Sequence, residues 1–235
     1  MGIMLAPGEI HVWRLELKAA PSELVRYRQQ LSPGEYQRAE RYATELLRLR
    51  AIVARGAIRT LLGRYLDQPP ASIRFDYNPF GKPRLSDSPP DSGLVFNMAH
   101  SGDRALLAVS RDVALGVDLE PWRPLKNLEG LAERCLAPSE LRYWNALPEP
   151  ERHRVFFDFW TAKEAFVKAV GRGLAWGLER CELSFGSPPR LVALPEGCGN
   201  PEDWSLWQLD IAANTSAALC VEAHAAVLRV FDFSH

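Results

Sequence analysis

Cysteine is scarce and unpatterned in this chain. Cys135, Cys181, Cys198 and Cys220 are the only four in 235 residues, and no two form a C-x-x-C pair or a zinc-ligand spacing. A zinc finger or ribbon is therefore excluded, and a disulfide framework is not expected at this length. The four are read as buried or free thiols in a reducing compartment. An apolar run of membrane-spanning length is also lacking. Met1 to Leu17 carries Glu9, Arg14 and Glu16 instead of a secretory hydrophobic region, and Ala6 breaks the myristoylation pattern. No charge dominates, since 28 Lys and Arg face 29 Asp and Glu for a formal net charge of −1. Overall charge thus points to neither a nucleic-acid nor a membrane partner, and any phosphate site must be local. The P-loop, the dinucleotide fingerprint and H-E-x-x-H are all missing, which argues against a nucleotide triphosphate held in a Walker site. A soluble cytoplasmic protein is the expectation.

Apolar residues are plentiful at 47%, enough to bury a substantial core in one large domain or two small ones. Ile10 to Leu17 alternates as a half-buried strand does. Ser22–Gln30 reads as a helix. Ser32, Pro33 and Glu35 form the capping box of another, which breaks near Ala43–Glu45. A longer helix runs from Leu46 to Tyr65 and stops before Pro69-Pro70. Short strands are expected at Ile73–Phe75, Leu94–Asn97, Ala105–Ser110 and Ala114–Glu120. Between the first two lie a turn, Asn78–Pro83, and a polar loop, Ser86–Gly93. Helices follow at Leu128–Arg134, Ser139–Leu147 and Val155–Val170, the last closed by Gly171-Arg172-Gly173. Strands are read at Cys181–Phe185, Trp204–Asp210, Ala217–Ala223 and Ala226–Phe231. Each half holds a long helix, a glycine-containing segment and a strand ending in Phe, which two similar α+β halves would explain.

Four segments could carry chemistry. In Gly116-Val117-Asp118-Leu119-Glu120, strand alternation sends Asp118 and Glu120 to one face, with Cα atoms about 6.5–7 Å apart. A hard divalent cation such as Mg²⁺ relieves that repulsion, although D-x-E alone fits better with a solvated strand edge. In Phe156–Lys168, the residues Trp160, Glu164 and Lys168 share one helix face at i, i+4, i+8. An ordinary surface ion pair has the same spacing, but the aromatic surroundings imply desolvation, and buried charge needs a reason. Glu164 is the candidate third metal carboxylate, with Lys163 and Lys168 available to phosphate oxygens. In Phe96–Asp103, His100 and Ser101 can donate to phosphate; a lone histidine is more often structural. Arg38, Arg41, Arg48, Arg50, Arg55 and Lys82 make the first half locally basic, and the Gly-Lys-Pro turn presents Lys82 in a fixed direction.

Taken together, LSPGEYQRAERY, RLRAIVARGAIRTLLGRYL, IRFDYNPFGKPRL, FNMAHSGD, GVDLE and FWTAKEAFVKAVGRGL resemble the Sfp-type 4′-phosphopantetheinyl transferases in order and spacing. The likeness spans about Leu31 to Phe185. It implies an α+β pseudo-dimer of two similar subdomains, each a small sheet packed with a long helix. The subdomains would be residues 1–112 and 113–235, with coenzyme A between them. It implies Mg²⁺ on Asp118, Glu120 and Glu164, catalytic roles for Asp118, Glu164 and Lys168, and Lys163 beside the phosphates. Lys82, His100 and Ser101 would contact coenzyme A phosphates, and Arg38, Arg41 and Arg50 its 3′-phosphate and adenine. The reaction implied is transfer of phosphopantetheine to a serine of an apo acyl or peptidyl carrier protein, by a monomer. The segment Trp122–Leu147 is a candidate docking platform through Leu128, Leu131, Leu136, Arg123, Lys126, Arg134 and Arg142; a simple surface helical insertion fits equally. One departure is Ala99, where the family usually has Ser before the His, so one phosphate hydrogen bond is expected to be missing. Two rivals are a non-catalytic coenzyme A-binding homologue and a Mg²⁺-dependent phosphohydrolase.

Overall fold

A computed structural model of the chain describes residues 2–86, 93–173, 177–186 and 189–234. The elements run β1 (Glu9–Glu16), α1 (Pro21–Gln30), α2 (Pro33–Glu40), α3 (Glu45–Leu66), β2 (Phe75–Tyr77), β3 (Pro83–Leu85), β4 (Leu94–Ser101) and β5 (Arg104–Arg111). They continue with β6 (Leu115–Pro121), α4 (Leu128–Cys135), α5 (Pro138–Ala146), α6 (Glu149–Val170), β7 (Glu182–Leu183), β8 (Leu191–Ala193), β9 (Ser205–Gln208), β10 (Thr215–Val221) and β11 (Val227–Phe233). The expected polar loop Ser86–Gly93 falls largely on residues 87–92, outside the described residues.

Local signals account for most element ends. Glu35 N–H donates to Ser32 Oγ while Ser32 N–H donates to Glu35 Oε2, the reciprocal pair that opens α2. Thr44 caps the N-terminus of α3, so α2 and α3 are separate helices. α6 begins six residues before the expected Val155, because Pro148 at the cap position and Pro150 just inside suit a helix start. It ends at Gly171, whose φ of 75° is the left-handed closure glycine allows. The strand expected over Cys181–Phe185 is regular only at Glu182–Leu183, paired with β8, a strand the periodicity did not reveal.

Two main sheets form, in the orders β11-β1-β5-β4 and β6-β10-β9. Neighbours are antiparallel except β1 and β11, which run parallel from Glu9↔Val227 to Leu15↔Phe233. The final strand therefore leaves the second half and completes the first sheet. Ile10, Val12, Leu106 and Ala108 of the first sheet meet Val117, Leu119, Ala217 and Leu219 of the second in one core. The outer faces are covered by α3 and α6, each 22 residues long. The result is an α+β stack of helix, sheet, sheet and helix. The facing edges β4 and β6 are joined where Val117 N–H donates to Asn97 Oδ1 at 3.0 Å. The four cysteines are free and buried. Among the described residues, no helix is long and apolar enough to cross a membrane.

Candidate active site

The site forms where α6 lies on β6. Gly116 makes that contact, since a Cβ there would stand 2.1 Å from Ala165 O and 2.3 Å from Ala169 N. With Val117 and Leu119 turned into the inter-sheet core, Asp118 and Glu120 face outward toward α6, as strand alternation predicts. Glu164 and Lys168, one helical turn apart on α6, come down onto this face.

Lys168 Nζ donates to Asp118 Oδ1 at 2.6 Å. Asp118 is only 6% exposed, and its Oδ2 is buried with no hydrogen-bond partner. Burial raises the Asp118 carboxyl above its ordinary range despite the lysine. Glu120 Oε2 accepts from Ser101 Oγ at 3.1 Å and from Arg123 Nη1 at 2.6 Å. Ser101 is therefore occupied in orienting a carboxylate, not free for a phosphate as expected. Glu164 is buried; burial first, then the charges of Asp118 and Glu120, push its carboxyl up to about 7.

Three crowded carboxylates and an orphaned Asp118 oxygen are the hard, oxygen-only donor set that suits Mg²⁺. Among the described residues no three such side chains already stand close enough to hold a metal ion. Lys168 on Asp118 and Arg123 on Glu120 supply the compensating charge instead.

Glu164 and Lys168 line a cavity of about 360 Å³ together with Lys82, Asn97, Met98 and Val167. A smaller one of about 100 Å³ adjoins it at Met98, lined by Arg38, Tyr42, Arg55 and His100. His100 lines this cavity with its side chain partly open to solvent, and desolvation in the cleft, then the Lys168 charge, hold it toward its neutral form. Arg38 also lies here, its Nη1 donating to Tyr77 Oη at 3.3 Å. Arg55 donates to the same hydroxyl at 3.1 Å, and its Nη1 is buried without a hydrogen-bond partner. Arg55 was one basic residue among six in the sequence; only the fold separates it from the rest. Arg50 is tied instead to Asp103 through Nε at 2.7 Å and through Nη2, and Arg41 is an exposed residue at the end of α2. Neither lines these cavities.

Three expectations need correction. Lys163 does not reach the site. It is 0% exposed, and its Nζ contacts Glu140 Oε2 at 2.5 Å and the carbonyls of Cys135 and Leu178 at 3.0 and 3.1 Å. A residue turns about 100° on a helix from its neighbour, so Lys163 enters the core behind Glu164. Lys82 lines the cavity, yet its Nζ is spent on Leu115 O and Ala169 O. Ala99 is buried in the inter-sheet core and lines neither cavity, so it packs where a lost phosphate contact was expected.

Of the proposed docking segment, Leu136 belongs to the core at 2% exposure, whereas Leu128 and Leu131 are half-buried against it. Arg123, Lys126, Arg134 and Arg142 are exposed. Asn97 and Gly116 are the site residues that sequence reasoning left without a role. The glycine opening a D-x-E strand was a signal for close backbone approach.

Known families and relatives match most of the chain. Residues 114–222 match the family model described as the 4′-phosphopantetheinyl transferase superfamily, and residues 16–112 the model described as 4′-phosphopantetheinyl transferase, N-terminal. The chain is 38% identical over 221 residues to the 4′-phosphopantetheinyl transferase HetI of Nostoc sp., covering 93% of this chain and 90% of that one. It is 30% identical over 241 residues to a phosphopantetheinyl transferase of Thraustochytrium sp., covering 94% and 81%. With the 4′-phosphopantetheinyl transferase Sfp of Bacillus subtilis it shares 28% identity over 149 residues, 63% and 64% of the two chains.

Proposed function

The chain belongs to the 4′-phosphopantetheinyl transferase superfamily, and from that premise we propose that it transfers phosphopantetheine from coenzyme A to a carrier-protein serine in the cleft between its first half and α6, with Mg²⁺ as cofactor. The observation that carries this reading is the seating of Lys168 on Asp118, with Glu164 and Lys168 both lining a cavity whose other wall is Lys82, Asn97 and Met98 of the first half. That cavity would take the diphosphate and pantetheine arm. Arg38, Arg55 and His100 in the adjoining cavity would take the 3′-phosphate end, where two guanidinium groups face one carboxylate, Glu35, which pairs with Arg55.

The work asked of the protein is positioning and charge neutralisation. The serine hydroxyl attacks the β-phosphate of coenzyme A. Its proton passes to Glu164, whose carboxyl near pH 7 suits a base acting at neutrality. The bond from the β-phosphorus to the bridging oxygen breaks, and adenosine 3′,5′-bisphosphate leaves with the electron pair. Lys168 stands where it can neutralise the oxygens of the leaving side. Asp118, Glu120 and Glu164 would hold Mg²⁺, which supplies Lewis-acid polarisation of the diphosphate when bound. The charges of Asp118 and Glu120 both act on Glu164, which supports a role for it as ligand or as base.

An acyl or peptidyl carrier protein would approach over Trp122–Leu147, where Arg123, Lys126, Arg134 and Arg142 offer positive charge to an acidic carrier surface. Both cavity walls come from one chain, which supports a monomer, and the free cysteines suit a reducing cytoplasm. The test is intact-protein mass spectrometry of an apo carrier protein incubated with the enzyme, coenzyme A and Mg²⁺. A mass gain of one phosphopantetheine, abolished by EDTA and by Asp118→Ala, is the expected result. Coenzyme A binding without any transfer to several carriers would leave a non-catalytic binding protein.

A further inference from the structure

The last turn of α6 ends with carbonyl groups that have no partner inside the helix. One of them, and the carbonyl of the capping Gly171, are met by side chains from the opposite half of the molecule. Lys82 Nζ donates to Ala169 O at 3.0 Å and also to Leu115 O on β6 at 3.1 Å. Asn78 Nδ2 donates to Gly171 O at 2.8 Å. The turn carrying both donors is ordered before it reaches across. Asn78 Oδ1 accepts from Phe80 N–H and Lys82 N–H, each at 2.9 Å, and Gly81 takes the positive φ of 85° that the bend requires. A cation at a helix C-terminus also complements the helix dipole. The fit is close, since a Cβ on Gly171 would lie 3.2 Å from Asn78 Nδ2 and 3.3 Å from Lys82 Cδ.

These contacts join the first-half wall of the cavity to the helix that carries Glu164 and Lys168. We propose that Asn78 and Lys82 act as a clasp on the C-terminus of α6, setting the distance between the two halves at the reacting phosphates, and that Lys82 is a positioning residue instead of a phosphate ligand. The proposal rests on the transfer reaction assigned to this cleft. Burial is the sole cause lowering the Lys82 ammonium, with no carboxylate contributing, which agrees with a cation satisfied by carbonyl dipoles. Asn78 separates the two roles cleanly, because it does not line the cavity.

Asn78→Asp keeps the oxygen that orders the turn and turns the donor to Gly171 into a carboxylate oxygen that repels the carbonyl, which opens that arm of the clasp. Lys82→Met removes the other arm. For each variant of the full chain, kcat and KM for coenzyme A would be measured with an apo carrier protein, together with the coenzyme A Kd by calorimetry. Hydrogen exchange of the amides of residues 168–171 would be followed in the same proteins. A misplacement of about 1 Å can cost as much as 100-fold in rate. The expected result is a kcat lowered about ten-fold in each variant, KM and Kd changed less than about two-fold, and faster exchange at the end of α6. A Kd raised about ten-fold by Lys82→Met, with saturated kcat and exchange unchanged, is what a charge-assisted phosphate contact gives and would overturn the proposal. Should Lys82→Met not fold, Asn78→Asp decides alone: unchanged kcat and exchange would sink the clasp. A wild-type protein inactive toward every carrier would instead refute the transfer reading, while exchange in Asn78→Asp still reports on the clasp.

Discussion

Gly116 and Ala165 touch backbone to backbone: a Cβ on the glycine would stand 2.1 Å from the alanine carbonyl oxygen. This absence of a side chain lets α6 settle onto β6, so that Lys168 reaches Asp118 at 2.6 Å. The D-x-E strand and the W-x-x-K-E-A-x-x-K helix form one site through that contact.

Gly116→Ala is accordingly expected to lift α6 off the strand. Transfer activity should fall at least about ten-fold, because misplacement by about 1 Å can cost 100-fold. The melting temperature should fall as well, since overpacking costs about 1–3 kcal/mol. Steady-state kinetics beside a thermal melt would check it, and full activity would show that the backbone contact is not needed.

Arg123 pairs with Glu120, a carboxylate proposed for the metal. Its ion pair at 2.6 Å is half open to solvent on the arginine side, so its contribution is about 0.2–1 kcal/mol. Arg123→Ala should tighten binding of Mn²⁺, used as a paramagnetic stand-in for Mg²⁺, by up to about five-fold at low salt. The gain should shrink as salt rises. Titration followed by electron paramagnetic resonance reads this directly. Unchanged or weaker affinity would mean that Arg123 and the metal do not compete.

Lys163 and Glu140 form a pair with no exposure to solvent, and Glu140 also accepts from Ala137 N–H and Leu183 N–H. Lys163→Met leaves that carboxylate buried without its cation, which costs about 3–5 kcal/mol. A melting point lower by roughly 10 °C is expected, with coenzyme A affinity per folded molecule unchanged. Adding Glu140→Gln should recover part of the loss. Normal stability with lost coenzyme A binding would restore Lys163 to the phosphates.

Lys82 predicts a pH effect on stability. Burial lowers its ammonium from 10.5 to about 8, so between those values the unfolded chain binds the extra proton. The penalty of keeping this lysine charged is fully present below about pH 8 and is relieved as pH rises toward 10.5. The stability difference between the wild type and Lys82→Met should therefore shift in favour of the wild type over that window. Denaturant titrations of both proteins at pH 7.5 and 10 would measure it. A difference independent of pH would mean an ordinary lysine.

Much of the fold could be read from local pattern. Ser32 and Glu35 announced the start of α2, and the left-handed end of α6 was written in Gly171. Val117 and Leu119 marked the buried side of β6, which put Asp118 and Glu120 on the other. The short strands β3 and β8 were missed because three residues carry too little periodicity to register. The parallel pairing of β11 with β1 joins residues more than 200 positions apart, such as Glu9 and Val227, and no local signal encodes it.

Side-chain periodicity by itself determined which residues share a face: Asp118 with Glu120 on a strand, Glu164 with Lys168 on a helix. That follows from backbone geometry, which is the same in every environment. What those faces meet was decided by the tertiary structure alone. Lys163 and Lys168 are both lysines of one helix, yet one is paired in the core with Glu140 and the other stands on Asp118. Lys82 ends on two carbonyls and Ser101 on Glu120, although both were candidates for phosphate. A donor goes to the acceptor that packing brings within reach, and that choice is made by contacts distant in the chain.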